Sequence, residues 1–316
     1  MNEYNKQALE NAIKTKKMGQ PLYFYPETDT TNDRIRELAD KVVCRHPHWR
    51  DLFYRWFLSM VAHWLGRDKQ HGNATTPVLI GPQGFRKSTF CRILLPPELR
   101  FGYTDSLDFS SKRDAERYLG RFFLVNLDEF DQISVNQQAF LKHLLQKPSA
   151  SIRKPYGTNI LEMRRYASFI ATSNHSDLLT DLSGNRRFIC VEVTEPIDTN
   201  ITINYGQLYA QAVHAVMHGE RYWLDDTDEA ILKESNEEFR QVSPLEHLFL
   251  SRFSIASLDE EDGEWMMAMD VFNHLQAGTR EKLPIGKLSH LGRLLKKWNV
   301  PYKRWGKGSL YYLKKQ

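Results

Sequence analysis

Two short motifs in this sequence of 316 residues contain the residue types that bind a nucleoside triphosphate. The first runs from Leu79 to Thr89 and has the glycines, lysine and serine of a phosphate-binding loop. Glycines let backbone N–H groups face phosphate oxygens, Lys87 pairs with the β- and γ-phosphates, and the Ser88 hydroxyl is a Mg²⁺ ligand. We expect a buried strand before this loop, and after it a helix whose positive dipole end faces the phosphates. The residues predicted to contact the nucleotide are Gly81, Gln83, Gly84, Phe85, Arg86, Lys87, Ser88 and Thr89.

Arg86 is the one departure from the pattern, because G-x-x-x-x-G-K-[ST] has glycine immediately before the lysine. A side chain there restricts the backbone angles of the loop. Two interpretations stay open. The arginine is tolerated and points away or touches phosphate, or the loop binds nucleotide weakly and hydrolyses it slowly. The structural alternative is a glycine-containing strand-to-helix turn with a chance Lys-Ser pair.

The second motif is an apolar run from Phe122 to Leu127, broken only by Asn126, that ends in Asp128 and Glu129. Such a run predicts a central parallel strand, and ligands of open α/β sheets bind at the carboxyl ends of the strands. We therefore expect Asp128 to support Mg²⁺ together with Ser88, and Glu129 to activate water for attack on the γ-phosphate. The alternative is a strand that ends in a solvated acidic turn.

Polar residues next to two later strands complete the candidate site. Asn174 follows the apolar segment Phe169 to Ser173, where an amide can hold the attacking water or contact the γ-phosphate. Arg186 and Arg187 precede another apolar strand, and an arginine presented to a neighbouring subunit stabilises transition-state charge. Asparagine also ends strands for turn reasons, and paired arginines are often surface charges.

The order of motifs divides the chain into three parts. Residues 1–69 are predicted to be an N-terminal helical segment, with a helix over 6–17 and two amphipathic helices between Asn32 and Leu65, the first capped by Asp33. Residues 70–243 alternate strand and helix, which indicates an α/β fold with a parallel sheet covered on both faces. The elements predicted there are the helices Ser88–Leu94, Asn136–Leu145 and Gly206–His218 and the strands Leu119–Asp128 and Ala167–Ser173.

Residues 244–316 are predicted to form a smaller basic domain of the winged-helix type. Helices are expected over Leu245–Phe253, Ala268–Gln276 and Ile285–Trp298, with an exposed acidic loop between the first two and a β-hairpin around Gly306–Gly308. The third helix would then be the recognition helix, and its basic residues would meet the DNA backbone. The alternative is an α+β cap with a solvated basic face or a protein-binding wing. The residues predicted to bind DNA there are Arg293, Lys296 and Lys297.

Composition narrows the class of protein. The chain is 41% hydrophobic, as in soluble globular proteins, and its formal net charge is only +4. After Glu281, however, ten Lys and Arg residues occur without an acid, which marks a candidate nucleic-acid surface. The three cysteines are far apart, which argues against disulfides and a zinc site. No signal segment or membrane span is evident, so we expect a cytoplasmic protein with no membrane partner.

A basic hairpin is predicted between two strands of the α/β core, over residues 151–165. Arg153 and Lys154 would contact phosphates and Tyr156 would stack on bases, which suits single-stranded nucleic acid. The alternative is a solvated charged hairpin.

The order Lys87-Ser88, Asp128-Glu129, Asn174 and Arg186-Arg187 resembles the superfamily 3 helicases. The greatest likeness is to the virulence-associated protein E family of phage and mobile-element replication proteins, over about residues 70–195. The segments that look like its successive signatures are Asp128–Phe130, Arg153–Gly157, Ala171–Asn174 and Gly184–Phe188.

This resemblance implies a P-loop ATPase of the AAA+ type that encircles DNA as a homo-oligomeric ring, expected to be a hexamer. Asn174 would be the sensor, Arg186 or Arg187 the finger supplied in trans, and the basic hairpin would enter the central pore. Relatives often carry a primase domain upstream, and too few residues precede the core here to hold one. A separate primase is therefore a candidate partner.

These observations favour an ATP- and Mg²⁺-dependent DNA helicase or translocase of mobile-element or phage replication, acting on single-stranded or forked DNA. Two other hypotheses stay open. One is a nucleotide-switched DNA-binding or assembly protein in which Arg86 limits turnover. The other is a defence or regulatory ATPase that acts on a protein partner.

Overall fold

The computed structural model describes residues 33–68, 71–153, 160–180, 185–259, 262–277, 286–306 and 308–316. At 151–153, 160–161 and 286–287 it describes the backbone alone. The helix predicted over 6–17 lies outside these residues. The chain forms two compact units, the first ending at Arg240 and the second beginning at Gln241.

The first unit contains a sheet and its covering helices. Its helices are α1 (Arg34–Ala39), α2 (Trp49–Leu65), α3 (Lys87–Ile93), α4 (Lys112–Arg121), α5 (Val135–Gln146), α6 (Tyr205–Met217) and α7 (Asp226–Ser235). Its strands are β1 (Thr76–Ile80), β2 (Tyr103–Thr104), β3 (Leu124–Leu127), β4 (Ser149–Arg153), β5 (Ile160–Arg164), β6 (Ser168–Ser173) and β7 (Phe188–Glu192).

Five of these strands form one parallel sheet in the order β2-β3-β6-β1-β7. Val78 in β1 is level with Ala171 in β6 and with Cys190 in β7. Every residue of β1 and of β6 is buried, as expected where helices cover both faces of a parallel sheet. β4 and β5 form a separate antiparallel pair.

Two hydrophobic layers lie on opposite faces of this sheet. Leu79 packs in the layer that contains α2, α3 and α6, whereas Val78 and Ile80 pack in the layer that contains α5. The alternation follows from the period of two along a strand. The prediction of an α/β fold with a parallel sheet covered on both faces is therefore confirmed.

The aromatic residues of α2 pack into the first of these layers. Trp49, Phe53, Trp56 and Phe57 are each at most 3% exposed. The indole Nε1 of Trp56 also donates to the backbone oxygen of Phe169 in β6 at 3.1 Å, which joins the helix to the sheet. Among the described helices, none combines the length and apolar composition that a bilayer crossing requires.

The start of the acidic strand differs from the prediction. Leu119–Asp128 was expected to be extended, but α4 continues to Arg121 and β3 spans only Leu124–Leu127. The Phe122 N–H still donates to the Tyr118 carbonyl at 3.1 Å, so the helical turn includes Leu119. A short apolar run is compatible with a buried helix end as well as with a strand, and its periodicity does not show where one gives way to the other.

In the residues that the structure describes, the second unit packs three helices on a four-stranded sheet. The helices are α8 (Pro244–Leu250), α9 (Ala268–Ala277) and α10 (Gly286–Lys297), and the strands are β8 (Phe253–Ile255), β9 (Glu264–Met267), β10 (Tyr302–Trp305) and β11 (Gly308–Lys315). β11 is central, since β10, β8 and β9 all pair with it. The core is formed chiefly by Leu245, Phe249, Val271, Leu275, Leu291, Leu295, Tyr311 and Leu313.

Two predictions for this unit were wrong and one is confirmed. The helix expected to reach Phe253 ends at Leu250, and the acidic segment expected to be a loop contains β9 from Glu264. β9 is fixed by its partner strand, since the Trp265 ring lies 5.0 Å from the Tyr312 ring. The predicted hairpin of β10 and β11 is present, as part of the larger sheet.

Arg165 is a buried side chain that joins several segments of the first unit by hydrogen bonds. Its side chain is 1% exposed and donates to the carbonyl oxygens of Asn73, Leu145, Lys147 and Ala167. Burial lowers the pKa of its guanidinium to about 10, and the charge of Asp68 opposes that shift. The residue thus connects the end of α5 to the segments that lead into β1 and β6.

Arg165→Met is expected to lower the free energy of unfolding of the first unit by about 3 kcal/mol or more, because it leaves buried carbonyls without donors. Arg117→Met is the matched control and should cost under about 1 kcal/mol, since Arg117 is half-buried and pairs only with Asp114 on the same helix among the described ion pairs. Urea unfolding followed by circular dichroism measures both. Equal losses in the two variants would contradict the structural role of Arg165.

Candidate functional site

The carboxyl ends of three adjacent strands meet at one edge of the parallel sheet. Gly81 follows β1, Asp128 follows β3 and Asn174 follows β6, and the Gly81 N–H donates to the Ser173 carbonyl at 3.1 Å. A cavity of about 360 Å³ lies at this edge of the sheet. Its lining is Gln83, Gly84, Arg86, Lys87, Ser88, Thr89, Asp128, Glu129, Thr172, Ser173 and Asn174.

Lys87 is the first residue of α3 and its side chain is held by oxygen atoms. Its Nζ donates to the backbone oxygens of Gly81 at 2.6 Å and Pro82 at 2.9 Å, and to the Asn174 Oδ1 at 3.2 Å. Burial lowers the pKa of Lys87, while the carboxylates of Asp128 and Asp131 act in the opposite direction. The ammonium therefore lies at the start of a helix with acceptors that phosphate oxygens could replace.

Ser88 and Asp128 bring two oxygen ligands together. The Ser88 Oγ donates to the Asp128 Oδ1 at 2.8 Å, and the Thr172 hydroxyl donates to the same oxygen. Mg²⁺ prefers hard oxygen ligands and is often held by one or two carboxylates together with substrate phosphates. Among the described residues no group of three His, Cys, Asp or Glu side chains forms a metal site. The serine and aspartate thus fit a Mg²⁺ that is shared with a phosphate.

Glu129 and Asp131 follow Asp128 in a tight turn. Glu129 has a positive φ of 53° and is exposed at the cavity, at the start of a 3₁₀ turn over Phe130–Gln132. Asp131 accepts from the Ser173 hydroxyl at 2.9 Å and from the Asn174 N–H at 3.4 Å. The turn thus presents Glu129 to the cavity, while Asp131 fixes the end of β6.

The backbone at Arg86 has the conformation that glycine would otherwise supply. Its φ of 58° and ψ of 26° lie in the left-handed region, and its side chain is exposed. A non-glycine residue in this region costs about 1–2 kcal/mol. Gly84 has a φ of 87°, and a Cβ at Gly81 would lie 2.9 Å from the Val193 oxygen. The loop therefore keeps its turn despite the arginine, at the cost of local strain.

Arg186 and Arg187 lie far from this cavity. They directly precede β7, and the register pairs Phe188 with Thr76 at the start of β1, whereas the loop follows the other end of β1. At about 3.3 Å per residue the length of β1 separates them by roughly 16 Å. Arg186 is exposed and its Nη1 lies 2.6 Å from the Glu229 Oε2, and Arg187 is half-buried. Neither belongs to the described residues that line the cavity.

The other predicted residues have different positions. Phe85 lies behind the loop, where its ring packs against the core and its carbonyl accepts from the Ile197 N–H. Arg153 ends β4, with its backbone paired to Ile160, while Lys154 and Tyr156 lie outside the described residues. Lys297 is half-buried on α10, in the second unit. Arg293 and Lys296, on the same helix, line a separate cavity.

Three site residues were not predicted. Thr172 and Ser173 carry hydroxyls at the end of a buried strand. Their position next to the predicted Asn174 is the sequence signal that could have identified them. Asp131 is an acid just beyond Glu129, but only the contact with β6 shows that it positions the strand end. The sequence places these residues near the site without showing which atoms meet.

Two solved structures resemble the chain at low identity. The structure titled "The apo structure of NrS-1 C terminal region (305-718)" is 11% identical, with a TM-score of 0.48 over 96% of this chain and 79% of that one. A second, titled the A form apo structure of the same region, is 11% identical with a TM-score of 0.46 over 96% and 78%. No curated protein sequence matches this chain significantly.

Two family models match the chain in succession. The model of a domain of unknown function from a B. theta gene (DUF3874) matches residues 242–313. The model of the virulence-associated protein E-like domain matches residues 27–241, which is about two thirds of the chain and includes the whole cavity at the sheet edge. The chain therefore belongs to the virulence-associated protein E-like family.

Proposed function

We propose that this protein is an AAA+ P-loop ATPase of the superfamily 3 helicase type, which uses ATP and Mg²⁺ to act on DNA in phage or mobile-element replication. One observation carries the proposal. Lys87, Ser88, Asp128, Glu129 and Asn174, which come from three separate stretches of sequence, surround one cavity at the carboxyl edge of a parallel sheet.

The loop residues would bind and orient the triphosphate. Lys87 Nζ would exchange its contacts to the Gly81 and Pro82 carbonyls and to Asn174 for β- and γ-phosphate oxygens. Backbone N–H groups at the start of α3 would bind the same phosphates. Ser88 and Asp128 would hold Mg²⁺, which when bound neutralises phosphate charge.

Glu129 and Asn174 would act on the attacking water. The Glu129 carboxylate, exposed at the cavity, would accept the water proton at an Oε, and the Asn174 amide would orient that water. Asn174 is suited to this because its backbone is tied to Asp131 and its Oδ1 to Lys87. When Lys87 exchanges its present contacts for phosphate oxygens, its contact with Asn174, the residue proposed to position the water, would therefore change as well.

The positions of Arg186 and Arg187 support hydrolysis at a subunit interface. Both precede β7 at the end of the sheet opposite the phosphate loop, so they are badly placed to reach a γ-phosphate bound by their own chain. An arginine finger from a neighbouring chain is worth a large factor in turnover. We therefore propose a homo-oligomeric ring, a hexamer, in which one of the two arginines completes the next subunit's site.

DNA contacts are proposed for two regions. β4 and β5 pair antiparallel, and Lys154 and Tyr156 come between them in the sequence. The predicted basic hairpin would enter the pore of the ring. The second unit combines three helices with a β-hairpin, an arrangement that supports a winged-helix-like role for α10. A separate primase stays a candidate partner.

The strained Arg86 favours a second candidate function, in which the protein binds ATP as a switch and turns it over slowly. Loop strain can limit the rearrangement that brings phosphate, lysine and acid together. This alternative uses the same cavity and differs only in rate, so kinetics decide between the two.

Lys87→Ala and Glu129→Gln are expected to abolish DNA-stimulated ATP hydrolysis, the first by weakening phosphate binding and the second by removing the base, with a loss of at least about a hundredfold. Lys233→Ala and Glu234→Gln are matched controls, because both residues are exposed on α7, and should retain wild-type rates. Steady-state phosphate release with and without single-stranded DNA measures this. Hydrolysis that survives both site changes would refute the proposal.

Arg86→Gly and Arg86→Ala separate backbone strain from side-chain charge. The glycine variant relieves the left-handed strain and should raise the free energy of unfolding by about 1 kcal/mol, whereas the alanine variant should not. Under the ATPase proposal both retain kcat within a factor well under ten, the equivalent of about 1.4 kcal/mol in barrier. A larger rise in kcat confined to the glycine variant would show that strain at Arg86 limits turnover, as the switch alternative requires.

A further inference from the structure

A second cavity, of about 420 Å³, lies wholly within the second unit. One wall is α10, another is the junction of β9 and α9, and the third is the start of β11. Its volume is in the range that holds a small ligand. The lining residues are Met267, Ala268, Met269, Ser289, Gly292, Arg293, Lys296, Gly308, Ser309 and Tyr311.

The surface of this cavity is mainly apolar, and two of the residues that line it are methionines. Met267 is 37% exposed and Met269 is 48% exposed, although both are apolar residues of a folded unit. Methionine is flexible and polarisable, and its sulfur makes favourable contacts with aromatic rings. Met267 pairs with Leu310 and so projects from the face opposite Tyr311, which leaves Met269 as the flexible apolar side chain that suits a flat ring.

The rim of the cavity is positively charged. Arg293 and Lys296 are three residues apart on α10, so they lie on the same side of the helix, and both are exposed. None of the described lining residues is a carboxylate. Asp270, one residue beyond Met269, accepts from the Met267 N–H at 3.3 Å. A ligand with an anionic group next to an apolar ring would match this arrangement of charge.

The neighbouring edge strand extends the same surface. All four residues of β10 are exposed, two of them aromatic and two basic. Tyr302 pairs with Tyr311 and Arg304 with Ser309, and paired residues project from the same face of a sheet. Tyr302 and Arg304 therefore continue the face on which Tyr311 and Ser309 line the cavity. Basic and aromatic side chains in alternation are typical of surfaces that bind single-stranded nucleic acid.

We propose that this cavity binds one nucleotide of single-stranded DNA. The base would pack against Met269, its phosphate would meet Arg293 and Lys296, and the strand would continue over the exposed Tyr302 ring, on which the next base would stack. A duplex presents only base edges in its grooves, whereas a stacking cavity requires a base that is splayed out. The inference rests on the proposed function, in which the protein acts on DNA. It deepens that function by assigning single-stranded DNA as the ligand of this cavity.

Gly292 offers a test that leaves the fold intact. It lies on α10 at the cavity, and a Cβ built there meets no other atom within 4 Å. Gly292→Ala adds little bulk, Gly292→Gln adds a neutral side chain, and Gly292→Glu adds the same shape with a negative charge. The three variants thus separate occupancy from electrostatic repulsion.

The measurement is fluorescence anisotropy of a labelled oligothymidylate with the full chain in the absence of ATP. We expect Gly292→Ala to bind within about twofold of wild type, Gly292→Gln about threefold more weakly, and Gly292→Glu about tenfold more weakly than Gly292→Gln, since an acid beside phosphate is repulsive. Tyr302→Ala should weaken binding by about tenfold through lost stacking. Thermal unfolding confirms that each variant is folded.

Several results would overturn the proposal. Equal affinities of the Gln and Glu variants would show that no phosphate lies beside Gly292. If duplex DNA bound as tightly as the oligothymidylate and lost affinity equally in the Gly292 variants, the assignment to single-stranded DNA would be wrong. If free thymidine monophosphate displaced the oligonucleotide at matched concentration, the ligand would be a mononucleotide. If an acidic peptide displaced it, the ligand would be a protein. DNA-independent ATP hydrolysis by Gly292→Glu should stay at the wild-type rate, so a failure here is distinct from a failure of the proposed ATPase.

Discussion

The parallel pairing of β1 with β6, and of β6 with β3, is the constraint on which the candidate site depends. Because the strands run in one direction, the segments at their carboxyl ends all lie at the same edge: a glycine loop, an asparagine and a pair of acids. The hydrogen bond from the Gly81 N–H to the Ser173 carbonyl closes this edge, and Asp131 joins the turn after β3 to the end of β6. No single segment contains the site.

The same pairing explains how the loop accommodates the left-handed backbone of Arg86. The strand before the loop is held on both sides and the Val193 N–H binds the Ile80 carbonyl at 2.7 Å, so the ends of the turn are fixed. A left-handed residue within fixed ends stores strain that the surrounding contacts must offset. In the sequence this position departs from the motif, whereas in the structure it has a left-handed backbone that glycine adopts readily.

Much of the fold could be predicted from the sequence, and the failures have physical reasons. The Asp33 cap, the helix α2 and the β10–β11 hairpin depend on local signals and are as expected. The boundary between α4 and β3, and the strands β8 and β9, depend on partners far away in sequence. In the site, residue types at strand ends indicated Lys87 and Asp128, but the contacts of Thr172 and Asp131 arise only when strands pair.

The central claim is that Lys87, Ser88 and Asp128 act on one triphosphate, and a crystal structure with Mg²⁺ and a non-hydrolysable ATP analogue tests it most directly. The account predicts that Lys87 Nζ leaves Asn174 and the loop carbonyls for phosphate oxygens, and that the metal lies between Ser88 and Asp128. A nucleotide bound elsewhere, with the lysine still on the Gly81 and Pro82 carbonyls, would contradict it.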